Sequence, residues 1–325
     1  MQIPFRRAGL VLIAAGGAGL IGLVGWFGAR QIGAEVLRAA WALPAAVALH
    51  GVQMLLSSVA WRGLVGGPPG QMGWLRIRWV REAVNTMLPV AQIGGNLAAI
   101  RMLTRHGQPL PRAAAATVLD LTLEALTLFL FTLLGIATLA AISPDHAWRP
   151  WLGGGLAVMA AALGGFVLAQ RAGMFRLIER LAERLGAFLP GLPPGALAGL
   201  HGELMALHRR HAAIARAVAI HFTGWLLGAM ETWIAFAAMG QPCGVLPALV
   251  IQSLGMAARN AGFAVPGALG VQEAGFVLAA GLFGISADAA IAMSMVKRAR
   301  ELACGLPGLV VWQWEEVRRW ARRTG

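Results

Sequence analysis

Tyrosine is absent from this 325-residue chain, cysteine occurs twice, and charged residues make up only 13% of it. Each shortage excludes something. Cys243 and Cys304 stand in apolar surroundings about 60 residues apart, which offers neither a disulfide framework nor the close spacing of a metal site. The scarcity of charge, with 58% hydrophobic residues and a mean hydropathy of +0.67, excludes an ordinary soluble domain. Acidic residues are the scarcer sign, 14 against 27 lysines and arginines, for a net charge of +13. A basic chain invites a nucleic-acid reading. Here the arginines fall between apolar runs, where the positive-inside rule places them, so no nucleic acid is expected as a partner. With tyrosine missing, the aromatic belt of a membrane protein falls to tryptophan. Trp26, Trp41, Trp61, Trp74, Trp148, Trp151, Trp312 and Trp314 sit near the ends of apolar runs.

Signatures of catalysis are also lacking. The sequence holds no glycine-rich nucleotide loop, no His-Glu metal motif and no Ser-His-Asp set. No enzyme activity, cofactor or metal is expected. Acid–base work by Glu82, Glu273 or Glu301 is conceivable, but nothing in their spacing selects it. His50 and His221, on apolar stretches, read as hydrogen-bonded core residues rather than ligands, and Glu231 as a carboxylate paired inside a bundle.

What is present are apolar runs long enough to cross a hydrocarbon core of ~30 Å. They predict spans over residues 8–28, 39–61, 113–141, 151–170, 212–240 and 287–314. The first is too long for a typical cleaved signal and reads as a helix that starts in the cytoplasm. Two stretches behave differently. Residues 74–106 and 245–284 are apolar helix patterns broken in the middle, at "LPVAQIGG" and "VPGALG". Proline removes a backbone donor and glycine permits a turn. In lipid such a break is tolerated only where protein or a wet cavity shields the backbone. Both stretches are therefore expected to be re-entrant hairpins, with Pro89, Gly94 and Gly95 at one tip and Pro266, Gly267 and Gly270 at the other.

At an offset of 177 residues Pro89 falls on Pro266, Gly107 on Gly284, Glu124 on Glu301, Thr117 on Ser294, Asp120 on Lys297 and Glu82 on Arg259. Together with the matched order of elements this predicts an internal repeat. A single helix between the halves would invert the second. The fold class expected is an all-α transmembrane bundle of two inverted repeats. It divides into an N-terminal helix and loop (1–38), a first repeat (39–141), a linking helix with a cytoplasmic amphipathic segment (142–211) and a second repeat with a basic tail (212–325). In the amphipathic segment Phe175, Ile178, Leu181, Leu185 and Phe188 recur at helical spacing, as on a helix lying at the membrane surface.

"MSMVKRAREL" (293–302) puts Lys297, Arg298, Arg300 and Glu301 inside an apolar stretch. Asp120 and Glu124, also four apart, carry the opposite sign in the first half. The simplest expectation is that the two helices meet and neutralise one another. Buried ion pairs can serve architecture alone, yet ionisable groups within a membrane mark polar pathways by default. The hairpins add Arg81, Glu82, Asn85, Gln92 and Asn96 in the first, and Arg259, Asn260, Gln272 and Glu273 in the second. A polar cavity shared by the hairpins is expected. Arg259, Lys297, Arg298 and Arg300 would contact a headgroup there. Asp120, Glu124 and Glu301 would balance charge or carry a proton.

"RWVREAVNTMLPVAQIGGNLAAIRML", "GFAVPGALGVQEAGFVLAAGLFGI" and "SMVKRAREL" resemble the membrane proteins associated with bacterial hopanoid biosynthesis. Those belong to a flippase-like superfamily that includes the transmembrane flippase region of lysylphosphatidylglycerol synthases. The resemblance runs over about residues 40–315 and lacks the synthases' aminoacyl-transferase domain. It implies handling of a hopanoid or another polar-headed lipid. It maps the family's first hairpin onto Arg81, Glu82, Asn85, Pro89, Gln92, Gly94 and Gly95, and its Pro-Gly hairpin onto Pro266, Gly267, Gly270 and Glu273. Asn96 departs from the acidic residue expected there. The function expected is an inner-membrane lipid transporter or flippase, multi-pass, with both termini cytoplasmic. Its partners would be membrane lipids (hopanoid or phospholipid) and lipid-biosynthetic enzymes. A membrane-embedded enzyme or accessory subunit and a non-transporting scaffold stay open beside it, as does the oligomeric state.

Overall fold

The computed structural model describes residues 29–88, 94–143, 149–185, 197–262, 265 and 268–324. The expected span 8–28 and the residues Pro89, Gln92, Pro266 and Gly267 lie outside them. All regular structure among the described residues is helical. The helices are α1 (Ala29–Ala39), α2 (Leu43–Val65), α3 (Gln71–Met87), α4 (Gly94–Arg105), α5 (Leu110–Ile142), α6 (Arg149–Ala172), α7 (Met174–Leu185), α8 (Leu200–His208), α9 (His211–Ala238), α10 (Val245–Ala261), α11 (Val271–Gly281) and α12 (Ala287–Thr324).

Four helices are long and apolar enough to cross a membrane: Ala34–Val65, Leu110–Ile142, Pro150–Ala172 and His211–Ala238. α5 shows why such a segment stays helical in lipid. Proline enters only in its first turn, where the missing N–H is not needed. The hydroxyls of Thr117, Thr122, Thr127 and Thr132 donate to carbonyls four residues back at 2.8–2.9 Å, so each of these hydroxyls is satisfied within the helix. α12 was expected to span over 287–314. It forms one 38-residue helix, but its charges keep it outside the four apolar spans.

The segments expected to break do so. α3 has 17 residues, α4 12, α10 17 and α11 11. At 1.5 Å per residue the longer pair reaches about 25 Å and the shorter about 16–18 Å, less than a full crossing. Side chains of α3 meet the start of α4 across the break: Asn85 Oδ1 accepts from the Gly95 backbone N–H at 2.8 Å. The Gly95 Cα lies against the Arg81 carbonyl, where a Cβ could not fit. In the second unit Gly255 admits the Phe276 ring and Gly275 faces Ala258. Small residues thus let α3–α4 and α10–α11 close up, the usual means of packing in lipid.

Packing between the units follows a pattern. α3 lies against α12, and α10 against α5; α4 lies against α5, and α11 against α12; α2 and α9 lie against each other. Exchanging α2 with α9, α3 with α10, α4 with α11 and α5 with α12 leaves this set unchanged. α4 and α11 begin 177 residues apart, as do α5 and α12. Close approach is again carried by glycine: Gly305 and Gly308 of α12 face Met87, Ala83 and Trp79 of α3, and Gly135 of α5 faces Ser253 of α10.

Two features differ from the sequence expectation. Residues 29–38, expected in an outer loop, belong to α1, which packs on α12; Ala39 is fully buried and Val36 packs on the same core. The amphipathic segment is two helices, α7 and α8. Phe175 anchors α7 in a core with Leu200, Leu204 and Leu207, and Glu179 accepts from the His201 backbone N–H at 2.6 Å.

Candidate functional site: two buried charge clusters

The first cluster joins α3 to α5. Arg81, 3% exposed, points at Asp120, which is fully buried. Its Nη2 also reaches Glu124 at 3.1 Å and its Nε donates to Asn96 Oδ1 at 2.8 Å. Arg78 pairs with Glu124 and lies 3.6 Å from Asp120 and 3.9 Å from Glu82. Two histidines close the cluster: His221 Nε2 is 3.2 Å from Asp120, and His50 Nε2 is 2.7 Å from Glu82. His50 Nδ1 in turn contacts Gln53 Oε1 at 3.0 Å. The Arg81 guanidinium also lies over the Trp61 ring, 5.0 Å from its centroid.

The second cluster joins α10, α11 and α9 to α12. Glu273, fully buried, accepts from Arg298 Nε at 3.0 Å and from Ser294 Oγ at 3.2 Å. Its other oxygen caps α11 by accepting from the Gly270 N–H at 2.7 Å. Glu301 pairs with Arg259 and, at 3.1 Å, with Arg298. Arg259 also donates to Gln272. Glu231 of α9 receives Arg300 at 2.6 Å and Lys297 at 3.5 Å. Glu231 Oε1 and Arg300 Nε are buried with no hydrogen-bond partner among the described residues. Orphaned polar atoms of this kind are uncommon in a folded interior.

These pairings overturn the expected neutralisation of one charged helix by the other. Asp120 and Glu124 are matched by Arg78 and Arg81 of the adjacent α3, not by the basic stretch of α12. The physical reason is that α4 packs on both α3 and α5, which brings the long Arg78 and Arg81 side chains of α3 within reach of the α5 carboxylates. Arg78 and Arg81 lie on the same helix and are turned inward. Asn260 does not join either cluster: it is exposed and donates to the Met256 carbonyl of its own helix. Asn85 acts on the α3–α4 turn rather than on a charge.

Between the clusters lies a cavity of about 10 Å³, lined by His50, Thr86, Glu82 and Glu301 among others. It has room for about one water. That space is too small for a headgroup. Sequence reasoning passed over Arg78 as a site residue. Its signal was the i, i+3, i+4 spacing of Arg78, Arg81 and Glu82, which puts all three on one helix face.

A polytopic helical bundle with two broken-helix units, each holding a buried cluster of acidic and basic side chains, defines a multi-pass membrane protein. The chain matches the family model described as "Lysylphosphatidylglycerol synthase TM region" over residues 8–308. It belongs to that flippase-like family of membrane proteins. Neither the curated proteins nor the solved structures gave a match.

Proposed function

We propose that this protein moves a polar-headed lipid across the bacterial inner membrane. The observation that carries the reading is the pair of buried charge clusters. Each is built by one broken-helix unit, and they approach one another at Glu82 and Glu301 across a cavity the size of one water. A membrane protein does not cheaply keep so many ionised groups out of water, and family membership points the same way. In this reading the two units are inverted repeats and α3–α4 and α10–α11 are re-entrant hairpins. The packing that survives exchange of the halves supports this. Both termini are cytoplasmic, in keeping with arginines at 6, 7, 318, 319, 322 and 323.

The structure is then an occluded form. Separation of the hairpins would open the space between the clusters to a headgroup, while the apolar body stays in lipid. Arg259, Lys297, Arg298 and Arg300 contact the headgroup; Glu301 holds Arg259 and Arg298, Asp120 and Glu124 hold Arg78 and Arg81, and these carboxylates can exchange a proton. No catalytic role is assigned, and lipid-biosynthetic enzymes are the natural suppliers of the cargo. The resemblance in sequence favours a hopanoid, with a phospholipid as the other cargo to be tried.

The test is dithionite bleaching of fluorescent lipid in proteoliposomes, run with a labelled hopanoid polyol and with a labelled phosphatidylglycerol. Wild type should expose inner-leaflet label to the quencher. Arg259→Ala and Glu301→Gln should slow this at least tenfold. Unchanged rates in variants that elute as folded monodisperse protein would remove the clusters from transport.

A further inference from the structure

A different site lies at one end of the bundle, away from both clusters. α2 ends at Val65, α3 begins at Gln71 and α9 begins at His211, so three helix ends meet there. The last carbonyls of α2 are already occupied: Arg210 donates to that of Leu64, and Arg112 Nη2 to that of Val65 at 2.6 Å. Cations belong at a helix C-terminus. Beside them opens a cavity of about 390 Å³, lined by Val59, Arg62, Gln71, Arg216 and Ile220 among others. That volume is within the usual range for small-ligand sites.

The wall carries two guanidiniums and no carboxylate. Arg62 makes one long hydrogen bond, 3.4 Å to Gln71 Oε1, and Gln71 is itself held by donating to Ser58 Oγ at 2.8 Å. Arg216 has no hydrogen bond or ion pair among the described residues. Gly63 and Gly66 leave open space where a side chain would stand. The cavity also has an apolar approach. Val52, Leu55 and Val59 are 45%, 41% and 39% exposed and, with Arg62, follow one face of α2 at i, i+3, i+7 and i+10. A soluble anion needs only the guanidiniums. A stripe of aliphatic surface leading to them suits a ligand with a phosphate at one end and a hydrocarbon chain at the other.

We propose that this cavity binds the phosphate of an anionic phospholipid, with Arg62 and Arg216 on the phosphate oxygens and an acyl chain along Val52, Leu55 and Val59. A guanidinium matches phosphate oxygens in a planar fork, and basic pockets at helix ends collect anionic headgroups. The site stands whether or not the protein transports lipid, since it shares no residue with the charge clusters.

Native mass spectrometry of the full chain with added phosphatidylglycerol tests this. Wild type should retain one lipid that persists against millimolar inorganic phosphate and glycerol phosphate. Arg62→Ala with Arg216→Ala should weaken retention at least tenfold. Arg62→Lys with Arg216→Lys should weaken it less, because charge remains without the fork. Displacement of the lipid by glycerol phosphate at equal concentration would identify a site for soluble phosphate esters and overturn the acyl part of the assignment. Equal retention by wild type and the alanine pair would overturn the site. Both arginines are exposed, so the pair should keep the wild-type melting temperature; if it does not, Arg216→Gln, which breaks no contact among the described residues, carries the same comparison. The Arg62 and Arg216 alanine pair should lose retention while keeping the wild-type rate of dithionite bleaching, which separates failure here from failure of the transport reading.

Discussion

Removing Asp120 or Arg81 alone should cost more than removing both. Asp120 is fully buried and Arg81 nearly so. Breaking a buried pair by deleting one partner leaves an uncompensated charge and costs about 3–5 kcal/mol. Neither residue here is left wholly alone. Without Asp120, Arg81 keeps Glu124 and Asn96; without Arg81, Asp120 keeps His221 at 3.2 Å and Arg78 at 3.6 Å. Each single change, Asp120→Leu or Arg81→Met, is therefore placed at the low end, about 3 kcal/mol. The double change removes both charges and fills the space with apolar atoms, which is often neutral. It leaves Arg78 facing Glu124 and Glu82, and its cost should stay below about 3 kcal/mol, so the coupling between the sites is at least about 3 kcal/mol. The assay is reversible unfolding in mixed micelles by increasing mole fraction of denaturing detergent, read by tryptophan fluorescence. Single changes that add to within about 0.5 kcal/mol would show that the two groups do not interact and would refute the pairing.

Glu231→Gln should destabilise the same fold by about 2–4 kcal/mol in that assay, since it strips the anion from Arg300 and Lys297 together. Gly308→Leu should cost at least about 1–3 kcal/mol by driving α12 off Ala83 and Trp79. Gly51→Ala, which meets nothing within 4 Å in a helix interior, should be neutral or stabilise by up to about 1 kcal/mol. If the glycine substitutions ranked the other way, the close α3–α12 contact would be wrong.

Much of the architecture was legible in the chain because lipid permits few solutions. Apolar length predicts spans at 113–141, 151–170 and 212–240, and the helices run Leu110–Ile142, Arg149–Ala172 and His211–Ala238. Proline and glycine mark the breaks between α3 and α4 and between α10 and α11. Charge partners were not legible. A row of bases on α12 and a pair of acids on α5 look complementary along the sequence, but a salt bridge is decided by which side chains come within about 4 Å, and the arginines of α3 are the ones that reach the acids of α5. The same limit applies to Glu231 and Arg300, whose meeting depends on how α9 crosses α12. α1 escaped notice because an 11-residue helix with arginines at its start and end has too short an apolar face to stand out from a loop.

The expected attraction between the halves survives in weaker form, and it can be tested. Among the described residues the first cluster holds Glu82, Asp120 and Glu124 against Arg78 and Arg81, an excess of one negative charge when its histidines are neutral. The second holds Arg259, Lys297, Arg298 and Arg300 against Glu231, Glu273 and Glu301, an excess of one positive. Asn96 sits 177 residues before Glu273, so the amide keeps the first cluster from a second negative excess. Asn96→Asp should therefore destabilise the protein by about 1–3 kcal/mol, although it places a carboxylate against Arg81. Adding Asp120→Asn returns the excess to one and leaves Arg81 between a carboxylate and an amide with their places exchanged. That double variant should recover most of the lost stability. If it is no more stable than Asn96→Asp alone, net charge is not what selects asparagine at position 96, and the local hydrogen-bond geometry of the α4 amide is.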